Sequence, residues 1–268
     1  MKTTSNKIIA LRLSILLLAG VIVSCRTNDE PPAPIPSEAK INHSVDLNTK
    51  KLVHHDSTGT FGGIDISADQ QNIFSAPLPD SISFVICKAS EGVTYTDPTY
   101  YNYIAKVQSL NLVSGAYHFY HTADDPTQQA DSFWFRINKA KLPDLPPILD
   151  IEQGSFCEGP NCITPNNDTL QAQLLRFLSR LQSHCNCTPI LYTDDGFIES
   201  YLFDQRFSQY PLWLAEYTLD GANPILPNNS PWKNWLMWQK NSNTVFNTDT
   251  TDFDIYVGSM SNLKMNKH

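Results

Sequence analysis

The chain has 268 residues, of which 41% are hydrophobic, 17% charged and 11% aromatic, enough to bury one sizeable core and unlike a disordered tail. Nineteen Lys and Arg against 27 Asp and Glu leave a formal charge of -8, which argues against a dispersed basic footprint and hence against nucleic acid as a partner. The seven histidines form no His-Glu-x-x-His set, which argues against a zincin-type metal hydrolase; no metal and no other cofactor is expected.

In chain order, residues 1–24 carry Lys2, Lys7 and Arg12 and no acid, ahead of the apolar run Leu13 to Val23. That run is about half the length a bilayer-spanning helix needs, so it reads as a secretory signal. Its end, Ile22-Val23-Ser24-Cys25, resembles the bacterial lipoprotein processing site, which implies acylation of Cys25 and a partnership with a lipid bilayer. Loss of the signal leaves 16 basic side chains against 27 acidic ones, a distinctly acidic exported protein. Residues 25–58 then hold Asn28-Asp29-Glu30-Pro31-Pro32-Ala33-Pro34-Ile35-Pro36 and a polar stretch; they read as a tether. A domain over 59–268 follows.

Eight strands are predicted, at Phe61 to Ser67, Phe84 to Ser90, Ser114 to Tyr120, Pro147 to Glu152, Pro189 to Asp194, Leu212 to Tyr217, Trp235 to Gln239 and Phe253 to Gly258. Helices are predicted after Asp97-Pro98, through Ile104 and Leu110, over Pro126 to Asn138, and over Asp168 to His184 with Leu170, Leu174, Leu178 and Leu181 on one face. Strands alternating with helices argue for a parallel sheet, and eight strands for a closed β/α barrel. The intervals from Tyr217 to Trp235 and from Gln239 to Phe253 offer no helical pattern. The expected fold is therefore a distorted (β/α)8 barrel with an incomplete outer helical ring. An open doubly wound sheet is the alternative, without a Gly-x-Gly-x-x-Gly turn to support it. Cys157, Cys162, Cys185 and Cys187 fall in two local pairs, the material of two disulfides in an exported chain, with Cys87 a buried thiol; a four-thiolate zinc site fits their spacing poorly.

Pro147-Ile148-Leu149-Asp150-Ile151-Glu152 carries the densest chemical signal, an apolar strand ending in two acids. Residues two apart share a face, so Asp150 and Glu152 point together, into the cleft at the carboxyl ends of barrel strands. Asp65 within Gly62-Gly63-Ile64-Asp65-Ile66-Ser67 and Asp254 beside Phe253 supply acids from the first and last strands. Closure would gather these carboxyls among the aromatics Tyr117, Phe119, Trp213, Tyr217 and Trp238, a surface suited to sugars. His118 either donates to a site carboxylate or, if Tyr117 faces the cleft, belongs to the outer packing layer. Lys88 would neutralise Glu91 or stand solvated. Trp238 is either a sugar contact or a core side chain that leaves Gln239 in the site.

The ordered blocks resemble those of the glycoside hydrolase family 25 lysozymes, the Chalaropsis-type N-acetylmuramidases. They are Gly63 to Ser67 with Gln70, Phe84 to Gly92, Tyr95 with Asp97-Pro98, Gly115 to Tyr120, Ile148 to Glu152, Ile190 to Thr193, Trp213 to Tyr217, Trp238-Gln239 and Phe253-Asp254. That resemblance implies hydrolysis of the β-1,4 bond from N-acetylmuramic acid to N-acetylglucosamine in peptidoglycan, on a flattened β/α barrel without a metal. It implies Glu152 as general acid and then base, Asp150 as its partner, Asp65 and Asp254 as supporting acids, and Tyr117 and Trp213 as saccharide contacts; Tyr217, Trp238 and Gln70 are further candidate substrate contacts. Asp69 stands where the family has an aromatic residue or histidine, which alters an outer sugar contact. The expected partners are glycan strands, and the expected state is a monomer lipid-anchored at the bacterial envelope, at the outer membrane. A non-catalytic peptidoglycan-binding lipoprotein and a hydrolase of another N-acetylated glycan stay open.

Overall fold

A computed structural model describes residues 58–139, 141–157, 164–218 and 223–265. The signal, Cys25, most of the tether and Cys162 lie outside the described residues. In chain order the elements are β1 (Thr58–Ile66), β2 (Ile82–Glu91), β3 (Tyr95–Thr96), α1 (Tyr100–Ser109), β4 (Val113–Phe119), α2 (Pro126–Lys139), β5 (Ile148–Asp150), α3 (Asn167–Cys185), β6 (Ile190–Asp194), α4 (Asp195–Tyr201), β7 (Leu212–Ala215), β8 (Met237–Phe246), β9 (Asp249–Ser259) and α5 (Met260–Leu263). Short 3-10 turns cover Gln153–Ser155 and Gln205–Gln209.

The strand order β1-β9-β8-β7-β6-β5-β4-β2 closes through a β1–β2 pairing, so eight strands form a barrel and the two-residue β3 hangs from β2. All eight predicted strands are present. Among the eight barrel strands one departs from the parallel arrangement: β9 runs antiparallel to both β8 and β1. The cause is local. Asn247 and Thr248 take positive φ of 51° and 77° between the paired residues Phe246 and Asp249, a two-residue turn that returns the chain as a hairpin instead of crossing over. Helices follow β4, β5 and β6, and α1 follows the β2–β3 ribbon. No described helix joins β1 to β2 or β7 to β8, so the outer ring is incomplete.

Two apolar layers follow from the alternation of strand side chains. Inward residues Phe84, Ile86, Ile148, Ile190, Trp213, Met237 and Tyr256 fill the barrel. Outward residues Val85, Cys87, Leu149, Leu191 and Leu214 pack under Ile104, Val107, Phe133, Ile137, Leu174, Phe177 and Leu181 of the helices. α3 starts at Asn166, whose side chain accepts from Thr169 N–H, and ends at Asn186, in the left-handed region at φ 50°. The Cys185–Cys187 disulfide brackets that end. Cys157 is also disulfide-bonded, and Cys87 is a buried free thiol. Among the described residues no helix is long and apolar enough to cross a membrane.

Candidate active site

At the carboxyl ends of the parallel strands, side chains from every barrel strand line a cavity of about 200 Å³. β1 and its continuation contribute Asp65, Ser67 and Asp69; β2 contributes Lys88; β4, Tyr117 and Phe119; β5 and the residues after it, Asp150 and Glu152; β6, Tyr192; β7, Trp213; β8, Gln239; and β9, Asp252. Asp150 and Glu152 share this cavity because alternation carries both inward, while Ile151 between them is buried in the outer layer. The chain turns sharply after the pair. The Glu152 carboxylate accepts from Ser155 N–H, while Ser155 Oγ accepts from Glu152 N–H at 3.2 Å. This reciprocal pair fixes the rotamer of Glu152 from its own loop.

Asp65 and Asp252 are paired across the β1–β9 ladder and are bridged by one amide. Gln239 Nε2 donates to Asp65 Oδ2 at 2.8 Å and to Asp252 Oδ2 at 3.3 Å. Its Oε1 accepts from the phenols of Tyr192, at 2.8 Å, and Tyr217, at 2.9 Å. Two hydroxyl donors on the oxygen leave the amide hydrogens for the carboxylates, so the amide has one orientation that satisfies all four partners.

The carboxyls perturb one another where the cavity is largely buried. Asp150 is held well above the usual carboxylate range by burial, then by the charges of Glu152 and Asp65, with Lys88 opposing. Asp65 is raised by burial and by Asp252, against the Gln239 hydrogen bond. Burial pushes Asp252 up to about 6. Lys88 Nζ is 2.6 Å from Glu91 Oε2, and Glu91 Oε1 lies 2.8 Å from His121 Nε2, so the cation at the cavity wall is oriented from outside it. Among the described residues no set of three or more His, Cys, Asp or Glu side chains is arranged to hold a metal ion.

The barrel brings Asp65, Asp150, Glu152, Tyr117 and Trp213 together, and Tyr217 reaches the rim through Gln239. Three other expected site residues stand elsewhere. Asp254 faces the barrel interior, two residues along β9 from Asp252 and one layer deeper. It is fully buried and accepts from Trp213 Nε1 at 3.0 Å, so it supports the indole from below. Trp238 is buried and donates to Glu216 O at 2.7 Å; adjacent strand residues face opposite ways, and it is Gln239 that enters the cavity. Gln70 closes a turn, accepting from Ser67 N–H at 2.8 Å and donating to Thr250 O at 3.1 Å. His118 lies in the outer layer between Ser90 Oγ and Gln129 Oε1, against Phe177, and burial lowers it to about 3, which keeps it neutral.

Two lining residues escape a reading of the linear sequence. Asp252 was masked by Asp254, the acid adjoining Phe253, although the two-residue alternation puts both on one face. Tyr192 sits inside the apolar block Ile190 to Thr193, where nothing local distinguishes it from core.

Comparison with known proteins gives this constellation a family. The model of glycosyl hydrolases family 25 matches residues 64–249. The autolytic lysozyme of Clostridium acetobutylicum is 30% identical over 162 residues, covering 60% of this chain and 46% of that protein, so the chain spans less than half of that relative. The N,O-diacetylmuramidase of Arthroderma benhamiae is 26% identical over 213 residues, 77% of this chain and 86% of that protein. The solved structure of a family GH25 lysozyme from Aspergillus fumigatus superposes with a TM-score of 0.63 at 26% identity, over 76% of this chain and 97% of that one. The matched segment runs from β1 to the start of β9 and includes Asp65, Asp150, Glu152 and Gln239, and on that span the chain belongs to glycosyl hydrolases family 25.

Proposed function

We propose that the chain hydrolyses the β-1,4 bond between N-acetylmuramic acid and N-acetylglucosamine in peptidoglycan, with Glu152 as general acid and Asp150 assisting. The observation that carries this reading is the shared cavity of Asp150 and Glu152, fed by carboxyls from the first and last barrel strands. The names of the relatives, a lysozyme and a muramidase, support the substrate.

In the resting site burial, and then the neighbouring Glu152 and Asp65, make Asp150 resist ionisation. A substrate amide N–H presented to Asp150 favours its carboxylate, since hydrogen bonding to the charged form stabilises it, and this leaves the proton of the pair to Glu152. Glu152 gives that proton to the glycosidic oxygen as the bond to the anomeric carbon breaks. Asp150 orients the 2-acetamido group, whose carbonyl oxygen attacks the anomeric carbon. The Glu152 carboxylate then takes a proton from water, which opens the cyclic intermediate with net retention. Tyr117, Trp213 and the rim residue Tyr217 cover sugar faces. Asp65 and Asp252, tied by Gln239, accept from sugar hydroxyl or amide groups; Asp254 acts from beneath through Trp213.

The same reading holds residues 1–24 to be a signal, Cys25 the lipid attachment point and residues 25–58 a tether that keeps a monomeric barrel clear of the outer membrane. The test is to incubate the chain from Arg26 onward with peptidoglycan and identify the new reducing end by mass spectrometry. A muramic acid reducing end that Glu152→Gln fails to produce is the expected result. Binding without cleavage by the unaltered chain would replace the enzyme with a peptidoglycan-binding module.

A further inference from the structure

The disulfide between Cys185 and Cys187 has only Asn186 between its ends. A cross-link stabilises a fold chiefly by restricting the unfolded chain, and that effect shrinks with the loop it closes. Here the loop is minimal, and the end of α3 is already fixed without it. Asn186 N–H donates to Gln182 O at 3.0 Å, its backbone stands in the left-handed region at φ 50°, and Leu178 and Leu181 anchor the last turns of the helix in the outer apolar layer. The bond ties the last residue of α3 to the connection that follows and joins no two elements of the barrel. A role as a staple leaves it unexplained.

The bond is also within reach of a second molecule. Cys185 and Cys187 are half-buried, and Asn186 between them is exposed. Cys187 lines a surface cavity of about 320 Å³ together with Pro146, Thr188, Pro211 and Leu236. Those residues precede β5, β6, β7 and β8, so this cavity lies at the amino ends of the parallel strands, the end of the barrel opposite the carboxyls. The two sulfurs differ in their surroundings. Cys187 N–H donates to Cys185 Sγ at 3.2 Å, and Cys187 O stands 3.2 Å from the same sulfur. A thiolate leaving at Cys185 meets a backbone donor, while the carbonyl end of α3 favours its prompt protonation and Cys187 O accepts the resulting S–H.

We infer that Cys185–Cys187 is a thiol–disulfide exchange site, reduced by a protein dithiol that attacks at Cys187. The partner's thiolate bonds to Cys187 Sγ; the bond between Cys185 and Cys187 breaks, and its electron pair leaves with Cys185 Sγ, which takes a proton. The partner's second thiol gives up its proton and attacks the partner's own sulfur in the mixed disulfide, which expels Cys187 as a thiolate that is protonated in turn. The partner ends as a disulfide, oxidised by two electrons, and this chain ends with two thiols that carry the partner's two protons. The site is independent of the glycan-hydrolase reading and lies away from the cavity on which that reading rests.

The test mixes the folded, unaltered chain with a Cys-x-x-Cys oxidoreductase whose second cysteine is replaced by serine, so that the mixed disulfide cannot resolve. After an acid quench, alkylation and digestion, mass spectrometry should find the probe joined to Cys187 at least about tenfold more than to Cys185. The intact dithiol oxidoreductase should leave both cysteines as free thiols with the circular dichroism of the fold retained. The chain carrying both Cys185→Ser and Cys187→Ser should melt within about 4 °C of the parent, which separates an exchange site from a staple. Absence of the adduct, an adduct mainly on Cys185, or a larger fall in Tm in the double variant would overturn the inference.

Discussion

Replacing Asp252 by Asn should stabilise the protein at neutral pH and lose that benefit in acid. Burial lifts the Asp252 carboxyl from 3.8 to about 6, beside Asp65 on the neighbouring strand. A raised carboxyl means that the folded chain binds the proton more tightly than the unfolded one. The ionised side chain therefore opposes folding increasingly as pH climbs from about 4 to about 6, fully above that range and not at all below it. The rise corresponds to at most about 3 kcal/mol at pH 7.5; Asp252 is only half-buried, and solvent screening reduces this to about 1–2 kcal/mol. Asn is neutral and can still accept from Gln239. For a barrel of this size the gain is roughly 2–6 °C in Tm. Thermal unfolding of both chains at pH 7.5 and pH 4 measures it. An equal gain at both pH values, or none at pH 7.5, would refute the assignment of burial as the source of the perturbation.

Gln239→Leu removes the amide that ties Asp65 to Asp252 and leaves two phenols without their acceptor; kcat should fall about 10- to 100-fold with the fold intact by circular dichroism. Gly154→Ala would set a Cβ 3.1 Å from Glu152 Oε1 and 3.3 Å from the Phe119 ring, tighter than ordinary contact, so kcat should drop about three- to tenfold with little change in Tm. Trp213→Phe takes the indole donor from buried Asp254 and should cost about 1–3 kcal/mol in denaturant unfolding together with activity. Trp238→Phe removes the bond to Glu216 O and should cost about 1 kcal/mol while glycan affinity stays the same, because Trp238 faces away from the cavity.

Strand positions and the first three helices were legible because each carries its own period: Leu170, Leu174, Leu178 and Leu181 trace one helical face, and Ile148 to Glu152 is an apolar run closed by acids. Asp150 and Glu152 share a face by alternation alone, and that part of the site could be read before any coordinates. What could not be read depends on register and depth. Choosing Trp238 over Gln239 is a choice of which face β8 turns inward, and a one-residue difference reverses every side chain. Asp252 and Asp254 both face inward; only closure of the barrel against Trp213 decides which reaches the mouth and which lies beneath. The antiparallel return of β9 rests on Asn247-Thr248 in left-handed backbone, without the Asn-Gly or Asp-Gly pair that announces such a turn. α4 is a single short helix capped by Asp194, too brief to leave a periodic trace.

The most direct test of Glu152 as proton donor compares two leaving groups in one variant. Glu152→Gln should lose the natural glycosidic linkage by at least about a hundredfold, yet release an activated phenol from an aryl glycoside of the same N-acetylated disaccharide at close to the parent's first-turnover rate, because that leaving group needs no proton. Equal losses on both substrates, or full activity on the natural linkage, would contradict the account.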